Sequence, residues 1–437
     1  MAVGAKVSAG ASSNPYHAPR AELSATPPPA VVKGRFSLCV LFFLHAAAMA
    51  AYAVPFPTVL KAYGLGDYVA IAVGTGCVAA FISPMVAGSL ADRRVPPERL
   101  LAVLCLFSAV LLTLTHVAVE RHWSPGVFLA LMMGYALANA PGFTLVTSIV
   151  LSRLTDARRE FGPIRVWATW GWMLASYTVG AVLHMDHSPA AGYVAGGIFL
   201  AEAIYCMTLR PTRPAPGKTP RRLRDFFGWE ALTLFRNPDH RLIFITAALF
   251  SALMSSLYIY TVLHLEAVGD SSPSRTMALA QLCEGMATFG LAAFLLRFRI
   301  KWLLTAGLVL GCLRYVLMSL NVMPALVASV ALHGPLFVVF YLTCQIYLEQ
   351  RVDPSIRTQS QSLLSLMNSG LGNAMGYIAI RFWYNGCTKN GATDWQLFWG
   401  VLAAGVAALV VLFLICYKGR SRTPGPGPEA AAPPAGA

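Results

Sequence analysis

The stretch AQLCEGMATFG (280–290) places an amide and a carboxylate between long apolar runs. Gln281 and Glu284 are three residues apart, so on a helix they share one face. An ionised carboxylate inside a bilayer costs several kcal/mol unless it is paired, and acids at that depth usually serve a function. The two residues are therefore candidates for binding a polar ligand.

A structural role is the alternative for Glu284. Arg314 lies in the next apolar run along the chain. An ion pair between these two side chains would satisfy both buried charges without touching a ligand. Spacing along the chain leaves both roles open.

A second polar face occurs in FGPIRVWATWGW (161–172). Arg165, Thr169 and Trp172 follow one another at i, i+4 and i+7, which puts them on one side of a helix. A guanidinium, a hydroxyl and a large aromatic ring suit a polar, ring-shaped ligand. The alternative is that Arg165 anchors the helix at the inner membrane surface and Trp172 only packs.

The composition indicates which elements hold these faces. The chain has 437 residues, of which 57% are hydrophobic and 12% charged, whereas a soluble domain has about 25% charged residues. Uncharged runs such as 38–56 and 398–417 are long enough to cross a bilayer as helices. Nine scattered cysteines form no CxxC motif, so we expect neither a metal site nor a cofactor. The fold class is therefore an all-α polytopic membrane protein.

Twelve membrane spans account for the apolar runs. They are predicted at about 36–60, 68–90, 99–118, 125–150, 163–184, 190–208, 241–265, 274–296, 300–320, 323–348, 358–381 and 396–417. With this layout the loops and tails on one side hold 27 of the 33 Lys and Arg residues, and the other side holds five. This asymmetry predicts that both termini are cytoplasmic. It also explains the net charge of +14 without a nucleic-acid partner.

A basic, Pro-rich stretch divides the spans into six and six, an arrangement typical of transporters built from two halves around a central site. The predicted units are a disordered cytoplasmic segment (1–35), an N-terminal six-helix half (36–208), a basic cytoplasmic linker (209–240), a C-terminal six-helix half (241–417) and a disordered cytoplasmic tail (418–437).

The loop after the second span reads GSLADRR, with Gly88, Asp92 and Arg93. It resembles the G-x-x-x-D-R motif of the major facilitator superfamily, and it stands in that superfamily's usual place. The resemblance implies the major facilitator fold of twelve transmembrane helices. A charged turn at the cytosolic membrane edge is the simpler interpretation of this motif.

Several segments together resemble the bacterial nucleoside–proton symporters within that superfamily. They are FGPIRVWATWG, AQLCEG, LHG with QIYLEQRVDPSIR, and NGATDWQLFWG, in the order and at the spans where that family has them. The similarity extends from about residue 36 to 418. It implies a secondary transporter that moves nucleosides by alternating access, coupled to protons, in the inner membrane.

The resemblance also implies roles for individual residues. In that family the matching positions contact the nucleoside, which implies this role for Arg165, Thr169, Trp172, Gln281 and Glu284. His333 of span ten stands where the family has a ring or an imidazole. We add Phe337, one turn further, and Tyr258 of span seven to the substrate-binding candidates.

Two departures from the family pattern bear on the substrate and on proton coupling. Val338 stands where the family commonly has an aspartate, and span seven offers hydroxyls instead of amides. Glu284 is then expected to be the main carboxylate at depth, with His333 as the second proton-coupling candidate and His45 as a helper. Desolvation favours a protonated acid, whereas a nearby arginine favours a carboxylate.

The sequence therefore predicts a transporter and not an enzyme, since it has no HExxH or GxSxG motif and no paired intramembrane acids. Its expected partners are a small molecule, protons and the lipid bilayer, and we expect a monomer. One alternative is a carrier of another polar ring compound, such as a sugar, an aromatic acid or a modified nucleoside. A membrane sensor of the same fold that has lost transport is another.

Overall fold

The computed structural model describes residues 29–93, 95–154, 157–211, 231–295, 298–352 and 356–419. Helices make up nearly all of this part, apart from a short antiparallel hairpin in which Thr388–Lys389 pairs with Ala392–Thr393. The predicted all-α class is therefore confirmed. Most of both predicted tails and of the basic linker lie outside the described residues.

The α-helices are numbered in chain order. They are α1 (Pro29–Ala53), α2 (Phe56–Ala62), α3 (Val69–Arg93), α4 (Pro97–Glu120), α5 (Pro125–Asn139), α6 (Gly142–Leu151), α7 (Ala157–Tyr177), α8 (Ala190–Thr208), α9 (Pro238–Met254), α10 (Leu257–Ala267), α11 (Pro273–Leu295), α12 (Ile300–Ser319), α13 (Met323–Ala331), α14 (His333–Phe337), α15 (Thr343–Arg351), α16 (Arg357–Ser365), α17 (Asn373–Cys387) and α18 (Trp395–Cys416). Segments of π-helix extend α7 (Thr178–Val182), join α14 to α15 (Val338–Leu342) and join α16 to α17 (Leu366–Gly372).

Within the described residues, eight helical spans are long and apolar enough to cross a membrane. They are Arg35–Ala62, Pro97–Glu120, Pro125–Leu151, Ala190–Thr208, Pro238–Ala267, Ile300–Ser319, Met323–Leu348 and Trp395–Cys416. Each coincides with a predicted span. The other four predicted spans, 68–90, 163–184, 274–296 and 358–381, are helical in their described parts. The GSLADRR motif lies at the end of α3, where the side chains of Gly88, Asp92 and Arg93 are outside the described residues.

Helix packing brings the two predicted polar faces together. In the first part of the chain, α1 packs on α7 and α8, and α4 packs on α8. In the second part, α9 packs on α17 and α12 on α18. The two parts meet where α7 packs on α11 and where α3 packs on α17. The face with Arg165 and Trp172 thus adjoins the helix that carries Glu284.

Glycines let some helix backbones touch. A methyl group on Gly334 would lie 2.2 Å from the backbone nitrogen of Glu284, and one on Gly376 would lie 2.2 Å from the carbonyl oxygen of Ala252. Real Cβ atoms do not approach that closely, so both positions require a residue without a side chain. Gly376 thus allows α17 to pack closely on α9.

Replacing Gly376 with alanine should separate α17 from α9 and destabilise the protein, because the added carbon has no space. Gly400→Ala is the matched control: Gly400 also lies inside a helix, and nothing stands within 4 Å of its missing Cβ. We expect Gly376→Ala to lower the thermal unfolding temperature in detergent by several degrees, and Gly400→Ala to leave it unchanged or raise it. Equal unfolding temperatures for the two variants would contradict this packing.

Candidate functional site

A cavity of about 370 Å³ opens between α7, α9 to α11, and the helices from α14 to α17. Six of the eight predicted substrate-binding residues line it: Trp172, Tyr258, Gln281, Glu284, His333 and Phe337. These residues come from four segments distant in sequence. The structure therefore brings most of the predicted set to one place.

The other two predicted residues, Arg165 and Thr169, lie beside the cavity without lining it. Thr169 faces α11. Its methyl carbon would lie 3.8 Å from a Cβ atom placed on Gly285. Arg165 is exposed and interacts electrostatically with Glu284. The α7 face thus meets α11 as the sequence indicated, but only Trp172 reaches the cavity itself.

Tyr258 connects the groups that line the cavity. Its hydroxyl accepts a hydrogen bond of 3.0 Å from Nε2 of Gln281, so the phenolic proton stays available for a ligand. Its ring centroid lies 5.8 Å from that of Trp172 and 6.4 Å from that of His333. An amide, a phenol, an indole and an imidazole therefore form one continuous wall.

Glu284 faces the cavity without a direct partner. The side chain is half-buried, and among the described residues no basic group forms an ion pair with its carboxylate. The predicted alternative, an ion pair with Arg314, is wrong: the three guanidinium nitrogens of Arg314 have no hydrogen-bond partner within the described part of the chain. The carboxylate is thus free to bind a ligand.

His333 and Val338 occupy α14 and the π-helical turn after it. His333 lines the cavity while 8% exposed, and its Nδ1 has no hydrogen-bond partner among the described residues. Val338 is 1% exposed and packs in a small apolar cluster with Ala287 and Val339. The position of the family's usual acid therefore offers no group that could take up a proton.

The eleventh predicted span contributes a polar side of the cavity that we did not predict from the sequence. This side consists of Gln361, Ser365, Asn368, Ser369, Asn373 and Tyr377. Their spacing of i, i+4, i+7, i+8, i+12 and i+16 follows one face of a helix. The signal was thus present in the sequence.

A buried acid that the prediction overlooked lies away from this cavity. Glu202 of α8 is fully buried, and its Oε1 is 3.0 Å from Nδ1 of His45, which is 1% exposed. Among the described residues, Glu284 is therefore not the only carboxylate within the predicted spans, and its place as the main one stays a prediction. His45 lines neither central cavity, because it is held in this pair.

A second cavity of about 330 Å³ adjoins the first. Trp172, Tyr258 and Tyr377 line both cavities, and the second is otherwise mostly apolar and aromatic, with Tyr52 and Phe143 in its wall. One side of the shared wall is therefore polar and the other is suited to an aromatic ring.

The family described as Nucleoside H+ symporter matches residues 32–422 of this chain. The chain belongs to this family of transporters. It is 28% identical to the putative nucleoside transporter YegT of Escherichia coli over 364 residues, which cover 78% of this chain and 83% of that protein. It is also 28% identical to the xanthosine permease of E. coli, over 78% of this chain and 85% of that protein.

The fold agrees with a solved structure from the same group. The crystal structure of the nucleoside transporter NupG superimposes with a TM-score of 0.79 at 22% identity, covering 88% of this chain and 99% of that one. The predicted resemblance to nucleoside–proton symporters is confirmed, and the protein is a membrane transporter and not an enzyme.

Tyr258→Phe tests the wall of the cavity in this symporter. The change keeps the ring but removes the phenolic proton that would be donated to a ligand, so the bound ligand loses a hydrogen bond worth about 1 kcal/mol. We expect the KM for nucleoside uptake to rise about fivefold. Tyr205→Phe, which removes a hydroxyl bound to the carbonyl of Ser37, is the control, and a similar KM in both variants would contradict the role of Tyr258.

Proposed function

We propose that this protein carries nucleosides together with protons through the 370 Å³ cavity. The observation that carries the proposal is the Glu284 carboxylate, which forms no ion pair with any described residue and lines the cavity with Gln281, Tyr258 and Trp172. Vicinal ribose hydroxyls suit a carboxylate, the base offers a face to the indole, and its edge suits an amide. Family membership favours nucleosides over the sugar, aromatic-acid and sensor alternatives.

We infer a major facilitator architecture of twelve spans in two halves, 36–208 and 241–417, joined by the basic linker 209–240. The packing of α7 on α11 and of α3 on α17 supports this division, as does the placement of Lys and Arg in alternate loops. Both termini are then cytoplasmic. Arg165 and Thr169 act from the edge of the site by interacting with Glu284 and α11.

In this topology the outer end of the bundle is closed by bonds between the halves. The Asp186 carboxylate accepts hydrogen bonds from the backbone nitrogen of Ser274, at 3.0 Å, and from the hydroxyl of Ser272, at 3.2 Å. Lys61 and Glu266 form an ion pair at 3.2 Å nearby. These bonds belong to an inward-facing state of an alternating-access cycle, and they must break when the outer side opens.

Glu284→Gln is the direct test of the assigned proton role. The amide keeps the size and accepts hydrogen bonds but cannot release a proton at neutral pH. We expect nucleoside accumulation driven by a proton gradient to be lost, while exchange of labelled for unlabelled nucleoside across liposomes continues. His333→Gln should reduce accumulation if the imidazole shares this role.

Gradient-driven accumulation at the wild-type level in Glu284→Gln would contradict the role of this acid. Glu202→Gln changes the acid that lies outside the cavities. If this variant lost accumulation while Glu284→Gln kept it, proton coupling would instead belong to the pair of Glu202 and His45. Accumulation is compared at equal amounts of each variant in the membrane, so that a loss of proton coupling is distinguished from a loss of expression.

Asp186→Ala should favour the outward-open state, because it removes two hydrogen bonds of about 1 kcal/mol each between the halves. A cysteine introduced at Ser255, which lines the cavity, reports the opening through labelling by an impermeant maleimide added outside cells. We expect labelling to become at least about fivefold faster. Asp67→Ala, an exposed acid on the same side, should not change it, and equal labelling rates would argue against the closure.

A further inference from the structure

Arg314 is a cation buried without compensation. It lies within the candidate membrane span Ile300–Ser319 and is 0% exposed. Its Nε and both terminal nitrogens lack a hydrogen-bond partner within the described residues. A buried guanidinium in this condition is costly, and such groups usually indicate a ligand, an ion or a partner that binds during function.

The nearest groups do not neutralise this charge. Arg314 interacts electrostatically with the hydroxyls of Tyr258, Tyr315 and Tyr341 and with His333. Glu284 forms no ion pair with Arg314. The cation that acts on its carboxylate is Arg165, although these two also form no ion pair. The charge on Arg314 has no acid bonded to it within the described residues.

This charge lies behind a wall that already presents hydrogen-bond donors. Arg314 belongs to α12, which packs on α14, the helix that begins at His333. His333, Tyr258 and Tyr341 line the cavity. The Tyr258 hydroxyl accepts from Gln281, which leaves its proton directed to a ligand, whereas the Tyr315 hydroxyl donates to the carbonyl of Leu253. The wall therefore suits a ligand edge that is negative and accepts hydrogen bonds.

We propose that the cavity selects nucleosides whose base carries a negative charge on a dioxo edge, and that Arg314 determines this preference through Tyr258, Tyr341 and His333. The inference rests on the proposed nucleoside transport. An ionised base supplies a negative charge near Arg314, whose guanidinium has no hydrogen-bond partner among the described residues. A base with an amino group on this edge would place its own hydrogen-bond donors against the donors of the wall. Such a base should bind less well.

Xanthosine and inosine are suitable probes, because they share the hypoxanthine frame and differ in one carbonyl group. The second carbonyl makes the xanthosine base an acid that is ionised near neutral pH, while inosine is neutral there. Competition between the two for uptake into proteoliposomes, at one pH and one proton gradient, keeps coupling the same for both. Wild-type protein should prefer xanthosine.

Arg314→Met removes the charge and fills similar volume with an apolar side chain, which a buried site tolerates. We expect it to lower the preference for xanthosine over inosine at least about tenfold, and Arg314→Lys to retain the preference. Arg241→Met, which removes an exposed arginine at the start of α9, should leave the ratio unchanged. Thermal unfolding of each purified variant shows that it is folded.

An unchanged ratio in Arg314→Met would overturn the role of Arg314. Equal wild-type uptake of xanthosine and inosine, or a preference for inosine, would overturn the selection of an anionic base while leaving nucleoside transport intact. Failure of the folded wild-type protein to take up either nucleoside would overturn the proposed function and this inference with it.

Discussion

The contact between the backbones of α14 and α11, at Gly334 and Glu284, is the constraint on which the cavity depends. The two chains approach so closely that even a methyl group at Gly334 would overlap the Glu284 nitrogen. Apolar burial drives helices together weakly within a bilayer, so such contacts between small residues set helix position. This one fixes His333 close to Glu284 and directs the following turn, with Phe337, toward the same space.

Glu202 and Glu284 illustrate how partners distinguish a structural acid from a functional one. Glu202 is fully buried and held by His45, 157 residues away in sequence, so the pair fastens α8 to α1. Glu284 is half-buried and faces the cavity with an arginine in its field but no ion pair. A paired acid is satisfied in the resting protein, whereas an acid left open is available to a ligand or a proton.

The contacts that close one end of the bundle differ from those that build the cavity. Asp186, Ser272 and Ser274 meet through hydrogen bonds, each worth about 1 kcal/mol. The helix contacts at Gly334 and Gly376 involve close-packed backbone that deforms little. Rigid packing keeps the binding surface unchanged. The few polar bonds at the end of the bundle can break and form again at low free-energy cost, as an alternating-access carrier requires.

The sequence by itself determined the helical class, most of the span positions and the two polar faces, Arg165 to Trp172 and Gln281 to Glu284. These depend on length, hydropathy and spacing within one helix, which are local properties. It also held the signal for the face from Gln361 to Tyr377, which we did not use. Only the tertiary structure decided that Glu202 pairs with His45, that Tyr258 bonds Gln281 and that Arg314 has no hydrogen-bond partner in the part of the chain that the structure describes. These facts depend on which faces of distant helices meet, and that is set by packing between residues far apart in the chain.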